Sequence, residues 1–195
     1  MLLKVLDYFN ERKAFKGMKV LKGIWGFTKI VIIGIVIAII LNTVIIINSD
    51  ITSGSMLPTL KKGDRLIGSR ISYLLSEPER GDVVIFKFPD DESKLYVKRI
   101  IGLPGETIII SDGKVYICDG KELEWAYLEE DYLLDSEHTK GDFGPYLIPA
   151  DSYLMLGDNR ENSEDSRYWI NTYVNKEQIV AKVLFKYYDK FEWIK

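Results

Sequence analysis

Hydrophobic and polar positions divide the chain into one uncharged N-terminal stretch and a longer region of short, interrupted apolar runs. Residues 30–47 carry no charged side chain, and 18 residues span roughly 27 Å as a helix, which matches the apolar core of a bilayer. Backbone polar groups in lipid must bond within their own segment, so this stretch predicts a transmembrane helix despite its many β-branched residues. The region from residue 48 onwards predicts a separate folded domain.

Charge is distributed unevenly about the apolar stretch. Residues 1–29 contain seven basic and two acidic residues, a net charge of +5, whereas the whole chain has a formal net charge of −3. Basic residues mark the cytoplasmic side of a span, so we expect a cytoplasmic tail at 1–29, an anchor at 30–47 and an extracytoplasmic domain at 48–195. The alternatives are a cleaved signal peptide, whose apolar core is normally shorter at about 7–15 residues, and a buried helix of a soluble protein.

The domain after the anchor is predicted to be mainly β. Short runs rich in Val, Ile, Tyr and Phe alternate with Gly, Pro and Asp turn signals, which is typical of antiparallel sheets. The predicted strands are residues 65–67, 82–88, 95–101, 107–110, 114–117, 153–156 and 179–185. Asp112-Gly113 predicts a hairpin between two of these strands. Residues 121–150 are acidic and less periodic, and we expect an irregular insertion there instead of a strand of the core.

Composition excludes several classes of function. The chain has one cysteine, Cys118, and one histidine, His138, which excludes a disulfide scaffold, a cysteine-based metal cluster and multi-histidine zinc sites. A net charge of −3 provides no overall basic field for nucleic acid. The shares of apolar and charged residues, 47% and 28%, are those of a globular protein and argue against intrinsic disorder.

A serine-containing turn follows the apolar stretch. Residues 53–60 are Ser-Gly-Ser-Met-Leu-Pro-Thr-Leu, and a turn of small residues can present a serine hydroxyl as a nucleophile, although a plain connecting loop has the same composition. A nucleophilic serine needs a base. The single histidine, His138, lies in the acidic irregular stretch, where a solvated loop residue is the simpler interpretation.

A lysine can replace histidine as the base if it is uncharged at working pH. Lowering a lysine pKa from about 10.4 to about 8 takes roughly 3 kcal/mol of desolvation, so the base should lie in a strongly apolar segment. Lys98 meets this requirement, because apolar residues flank it at 96–97 and 100–101. Arg99 cannot serve, since arginine keeps its proton. Strand alternation puts Lys98 and Arg99 on opposite faces without saying which face is buried, and a solvated pair is the alternative.

A third polar segment, residues 157–167, follows the predicted strand 153–156. Its carboxylates, amides and arginines predict a hydrogen-bonded network, because unpaired buried charges would be costly. The alternatives are a solvated loop and a calcium loop, whose ligand spacing Arg160 interrupts. Ser111 and Lys114 match the Ser-x-x-Lys spacing of penicillin-binding enzymes, but the Asp-Gly turn between them argues for coincidence.

Five motifs in this order resemble those of the type I signal peptidases, membrane-anchored Ser/Lys proteases that remove signal peptides. The motifs lie at residues 53–60, 63–64, 80–84, 96–105 and 157–167. The resemblance covers most of the chain. It implies a mainly β, antiparallel catalytic domain with a small inserted β subdomain, which residues 107–150 match, preceded by one N-terminal transmembrane helix. The chain departs from the family pattern at Ile170 and Ala181, where glycine is usual.

The resemblance also implies roles for individual residues. Ser55 would be the nucleophile and Lys98 the general base, and the Ser53 hydroxyl and the Ser55 backbone N–H would form the oxyanion hole. Ser163 would orient the lysine amine through a hydrogen bond. The residues implied to shape the site through ion pairs are Asp158, Asp165 and Arg167. The residues implied to line shallow pockets for small substrate side chains at positions −1 and −3 are Ile51, Met56, Leu60, Tyr96 and Val97.

The function implied by this resemblance is removal of signal peptides from exported preproteins at the outer face of the cytoplasmic membrane, without a metal or other cofactor. The implied partners are preprotein signal peptides, the lipid bilayer and a neighbouring protein-export channel, with no nucleic acid. One rival, a self-cleaving repressor-type Ser/Lys protease, would need a DNA-binding domain in place of residues 1–47. The other, an inactive or non-enzymatic membrane-anchored β-domain acting in secretion, would not need intact Ser55 and Lys98.

Overall fold

The chain separates into two compact units, residues 1–44 and residues 45–195. A computed structural model describes residues 25–120, 124–134 and 139–194, apart from the side chains of residues 42, 43 and 75. Most of the predicted basic tail and His138 therefore lie outside the described residues.

The first unit contains helix α1, residues 25–40, whose isoleucine and valine side chains are largely exposed. A π-helical turn, Leu41–Ile45, follows it, and the chain is extended from Ile46. The apolar stretch 30–47 is thus divided between a helix and a strand, because Ile46 and Ile47 pair with a neighbouring strand of the second unit. Within the part of the chain that the structure describes, no helix is both long enough and apolar enough to cross a membrane.

The second unit is built from strands with one short helix, α2 (Ser72–Leu75). The strands are β1 (Ile46–Asp50), β2 (Arg65–Ser69), β3 (Val83–Phe88), β4 (Asp91–Gly102), β5 (Thr107–Ser111), β6 (Lys114–Cys118), β7 (Ala126–Tyr127), β8 (Phe143–Leu147), β9 (Ser152–Leu156), β10 (Val174–Asn175), β11 (Ile179–Lys186) and β12 (Glu192–Trp193). All seven predicted strands are confirmed, as β2 to β6, β9 and β11. The mainly β, antiparallel fold is therefore confirmed for this unit.

Two sheets organise these strands. The larger has eight strands in the order β1-β2-β11-β3-β4-β9-β10, with β12 paired to β11, and the smaller has the order β7-β6-β5-β8. The smaller sheet is formed within residues 107–147. Ala181, one of the departures from the family pattern, is fully buried in β11, whereas Ile170 lies in an exposed loop.

The hairpin predicted at Asp112-Gly113 joins β5 to β6. Both residues have positive φ angles, 50° and 77°, as a two-residue hairpin turn of this kind requires. Ser111 and Lys114 are cross-strand partners at its base, and Ser111 Oγ donates to Asp142 instead of contacting the lysine.

The prediction of an irregular insertion over residues 121–150 is wrong at β7, which pairs with β6, and at β8. This strand, Phe143–Leu147, pairs with β5 at the edge of the smaller sheet. Its Gly144-Pro145 step concealed it, because proline lacks an N–H and is tolerated in sheets mainly at edges. The insertion does not contribute to the larger sheet, as expected.

Strand β4 is paired on both edges along only part of its length. β4 pairs with β3 through residues 95–99, but it pairs with β9 only from Arg99 onwards. Among the described strands, the N-terminal half of β4 therefore has no partner on its second edge. The buried C-terminal half of the same strand continues into the core, where Ile100 and Ile101 are fully buried.

Candidate active site

A tight turn between β1 and β2, residues 53–60, holds the first group of predicted site residues. The Leu57 N–H donates to the Gly54 carbonyl at 3.2 Å, and the Leu60 N–H donates to the Met56 carbonyl at 2.8 Å. Met56 and Leu60 are almost fully buried in the core cluster beneath β1, β2, β3 and β11. Because these two side chains anchor the turn from below, its small residues are left at the surface, where Ser55 is only partly covered.

The structure brings Ser55 together with Lys98, 43 residues further along the chain. Ser55 Oγ and Lys98 Nζ lie 2.5 Å apart and are joined by a hydrogen bond. Lys98 is in the middle of β4, with its backbone paired to Val84, and only 3% of its surface is exposed. Lys98 is thus positioned by strand β4, and Ser55 by the tight turn between β1 and β2.

Burial changes the acidity of this lysine. It lowers the pKa of Lys98 from 10.5 to about 8, because an ammonium loses its hydration when it is buried. The nearby carboxylate of Asp165 opposes this change and the guanidinium of Arg167 adds to it. A lysine with a pKa near 8 is partly uncharged close to neutral pH and can accept a proton, as the desolvation argument from the sequence requires.

Ser53 lies on the exposed side of the same turn. Its Oγ is 3.3 Å from Ser55 Oγ, so a second hydroxyl stands beside the first. A hydroxyl in this position can donate a hydrogen bond to an oxygen atom of a group bound beside Ser55.

Ser163 is close to the pair but does not make the hydrogen bond expected of it. Its Oγ is buried and has no hydrogen-bond partner among the described residues, so the expected bond to Lys98 is absent. It instead packs against Gly157: a Cβ atom at that position would lie 2.1 Å from Ser163 Oγ and 2.5 Å from the Ser55 carbonyl oxygen. Only glycine fits there, and it lets the segment 157–163 approach the serine turn closely.

Asp158 forms a buried ion pair with Arg99. Arg99 Nε and Nη2 donate to the two carboxylate oxygens at 2.9 and 2.7 Å, and both side chains are about 1% exposed. The Thr59 hydroxyl donates to the same carboxylate at 2.5 Å. Arg99 is therefore buried like its neighbour Lys98, which answers the question that strand alternation left open: both faces of β4 are covered at this point.

Asp165 and Arg167 form a second buried ion pair. Arg167 Nε and Nη2 donate to the Asp165 oxygens at 2.7 and 2.8 Å, and both side chains are fully buried. Asp165 Oδ2 also accepts the Gly157 N–H at 2.9 Å. The network predicted for residues 157–167 is thus present, and it holds the backbone around Gly157.

A cleft of about 360 Å³ opens beside the serine and the lysine. Four of the five residues predicted to line substrate pockets lie along it: Ile51, Met56, Tyr96 and Val97. Leu60 does not line the cleft, because its side chain points into the core under the turn and is fully buried. The described residues contain no cluster of His, Cys, Asp or Glu that could hold a metal ion.

Comparison with known proteins identifies the family. A family model described as signal peptidase, peptidase S26, matches residues 24–188. The chain belongs to this family. It is 39% identical over 166 residues to a probable signal peptidase I-2 of Synechocystis sp., covering 82% of this chain and 71% of that protein. It is 38% identical over 166 residues to a signal peptidase I of Leptolyngbya laminosa, covering 80% and 75%.

A crystal structure of a signal peptidase I from Enterococcus faecalis V583 also matches. It is 31% identical, with a TM-score of 0.44, and the match covers 55% of this chain and 97% of that one.

Sequence reasoning missed several residues that build the site of this S26 peptidase. The Asn159 N–H donates to the Ser55 carbonyl, and its Nδ2 donates to the Gly54 carbonyl, both at 3.0 Å, so Asn159 clamps the serine turn. Arg160 forms a buried ion pair with Glu130, which belongs to the insertion. These partners are 30 to 105 residues apart, and no local pattern signals such pairs.

The insertion also covers Arg99. The ring of Tyr132 stacks on the Arg99 guanidinium, 3.9 Å from its centre, and the Tyr132 hydroxyl donates to Glu130 at 2.6 Å. A segment expected to be irregular thus covers two buried arginines, Arg99 of β4 and Arg160.

Proposed function

We propose that this protein is a signal peptidase I that removes signal peptides from exported preproteins, with Ser55 as the nucleophile and Lys98 as the general base. The observation that supports this most is the 2.5 Å contact between Ser55 Oγ and Lys98 Nζ in a buried setting that lowers the pKa of the lysine to about 8. Membership of the S26 family supports the same reaction and substrate class.

The proposed reaction begins when uncharged Lys98 accepts the proton of Ser55 Oγ. The oxygen attacks the carbonyl carbon of the residue at position −1, and the Ser53 hydroxyl and the Ser55 N–H donate to the resulting oxyanion. One such donor is typically worth about 3 kcal/mol of transition-state stabilisation. The ammonium of Lys98 then protonates the leaving amine, and the C–N bond breaks. Water, deprotonated by Lys98, hydrolyses the acyl-enzyme and releases the signal peptide with a free carboxylate.

The substrate is proposed to bind as an extended strand in the cleft. The free edge of β4 offers unpaired backbone groups beside Tyr96 and Val97, and extended peptides commonly add to such an edge. Ile51 and Met56 face the same cleft and are mostly buried, so they leave little depth for a substrate side chain. Shallow pockets of this kind suit small residues at −1 and −3.

We also propose that the part of the apolar stretch that precedes β1, residues 30–45, anchors the protein and that the domain faces outward from the cytoplasmic membrane. The support is the positive charge of residues 1–29. Protease added to intact spheroplasts should then digest the domain and spare an N-terminal tag. Loss of the tag with the domain intact would reverse the orientation.

Cleavage of a preprotein by the purified full-length protein tests the proposed function. We expect cleavage at one bond, after a small residue, with the mature N-terminus identified by mass spectrometry. A Ser55→Ala protein purified in parallel controls for contaminating proteases. The proposal fails if the wild-type protein leaves the preprotein intact, or if the Ser55→Ala protein cleaves it equally well.

The pH dependence of the cleavage rate in the same assay should report the pKa of Lys98. Only uncharged lysine accepts a proton, so the rate should rise with pH through about 8, by about tenfold between pH 7 and pH 9. Between pH 8 and 10.5 the folded chain binds fewer protons at Lys98 than the unfolded chain, so this residue should raise the free energy of unfolding as pH rises across that window. A rate that is constant from pH 6 to 9 would contradict the assignment.

A further inference from the structure

We propose that Lys186 is a positioning residue that holds the serine turn, residues 53–60, from the C-terminal strand β11. Its Nζ donates to the Thr59 carbonyl at 2.8 Å, and only 11% of its side chain is exposed. The inference rests on the proposed function, since it concerns the geometry of Ser55. No sequence motif singled out this lysine.

The ammonium of Lys186 is held in place by more than one acceptor. Glu192 of β12 lies 3.2 Å from Nζ, and Asp64 lies 3.9 Å away. Asp64 also accepts the Lys61 N–H at 2.8 Å, just after the turn. Hydrogen bonds donated by an ammonium are stronger than those between neutral groups.

Thr59 is fixed at two atoms. Lys186 holds its carbonyl, and its hydroxyl donates to Asp158, the carboxylate that Arg99 binds. Arg99 is the neighbour of Lys98 on β4. Thr59, four positions after Ser55, is thus connected to β4 through Asp158 and Arg99, and to β11 through Lys186.

Packing alone does not hold this part of the turn. A cavity of about 610 Å³ borders Pro58 and Thr59 and is also lined by Lys186 and Trp193. Where a cavity replaces packed neighbours, dispersion contacts are lost, and polar contacts contribute more to position. The hydrogen bond from Lys186 to the Thr59 carbonyl joins two residues that line this cavity.

The distance between Ser55 Oγ and Lys98 Nζ depends on where the turn lies. A displacement of about 1 Å at a reacting group can reduce the rate by about 100-fold. Without the Lys186 donor, the Thr59 carbonyl would turn towards the water in the cavity, and the turn would sample positions in which Ser55 is too far from its base. We therefore expect the loss in kcat.

Lys182 is a matched control on the same strand. It is four residues earlier on β11, and a bulge between Val183 and Phe185 places it on the opposite face of the strand, where it pairs with Asp82 at 2.6 Å. No described contact joins Lys182 to the serine turn. A Lys182→Met substitution therefore removes an equivalent charge and an ion pair without removing the Thr59 contact.

The test compares Lys186→Met, Lys186→Arg and Lys182→Met with the wild-type protein in the preprotein assay, well below each thermal midpoint. We expect Lys186→Met to lower kcat at least tenfold with KM within about threefold of wild type. Lys186→Arg keeps a charged donor and should recover most of the activity. Lys182→Met should keep kcat within twofold of wild type, even if its thermal midpoint falls as much as that of Lys186→Met.

The inference is overturned if wild type cleaves and Lys186→Met cleaves at a similar rate, or if Lys182→Met loses as much activity. Failure of the wild-type protein itself would instead overturn the proposed function. If Lys186→Met does not fold, Lys186→Gln is the deciding variant. Its shorter amide should not reach Thr59, so a fully active, folded Lys186→Gln protein would also overturn the inference.

Discussion

Replacing Lys98 with methionine should lower kcat for preprotein cleavage by at least about 10³-fold. General-base catalysis commonly contributes 10²–10⁴-fold, and without a base the Ser55 hydroxyl is a weak nucleophile. Methionine is one atom shorter than lysine and uncharged, so it can remain buried and the fold should be kept. Lys98→Arg should fail as well, because a guanidinium keeps its proton. Rates are best measured at pH 9, where wild-type Lys98 would be largely uncharged.

Two comparisons make this prediction specific. Lys94 lies on the same strand but is exposed and pairs with Asp91, so Lys94→Met should retain full activity. Lys98→Met should be at least as stable as wild type at pH 7, because it removes a group whose burial disfavours the charged form. A Lys98→Met protein that keeps more than a tenth of wild-type kcat, or that is markedly less stable than wild type, would indicate that Lys98 is a charged structural residue.

The second large effect is expected from Asp158→Asn, which should lower the free energy of unfolding by about 3–5 kcal/mol. Its carboxylate accepts two hydrogen bonds from Arg99 and one from Thr59, and the side chains of Arg99 and Asp158 are each about 1% exposed. Removing one partner of a buried ion pair leaves the other charge unpaired in a poorly solvated site. Urea unfolding of the variant and the wild type measures the difference.

An exposed pair on β4 provides the control for this prediction. Asp91 and Lys94 are 2.9 Å apart, with 40% and 60% of their side chains exposed, so Asp91→Asn should lower the free energy of unfolding far less than Asp158→Asn does. The double variant Arg99→Met with Asp158→Leu should recover much of the stability, because apolar pairs of similar volume often replace buried ion pairs without loss. Equal losses in the free energy of unfolding for Asp158→Asn and Asp91→Asn would show that the Arg99–Asp158 pair is solvated.

Much of the fold was predictable because strand formation in this domain is encoded locally. Runs such as residues 82–88 and 179–185 combine β-branched and aromatic residues with turn signals at both ends, and they form β3 and β11. Asp112-Gly113 specifies its own hairpin, since both residues tolerate positive φ. β8 was missed because proline and glycine occupy its centre, and only pairing with β5 makes that segment a strand.

The candidate site was predictable only to the level of residue types and their order. A small-residue turn with Ser55, a lysine among apolar residues and a polar segment at 157–167 are features of the sequence itself. That Lys98 and Arg99 are both buried depends on what covers each face of β4. Ser55 of the serine turn contacts Lys98 on one face, and Asp158 and Tyr132 enclose Arg99 on the other.

The strand segments, the hairpin at residues 112–113 and the chemical character of the site can be inferred from the sequence, because each depends on neighbours within a few residues. The 2.5 Å contact between Ser55 and Lys98, the core position of Leu60 and the contact between Lys186 and Thr59 arise only on folding. These depend on residues 43 to 127 positions apart, whose distances are set by sheet order and packing. The lowered pKa of Lys98 has the same origin, since burial is a property of the folded chain.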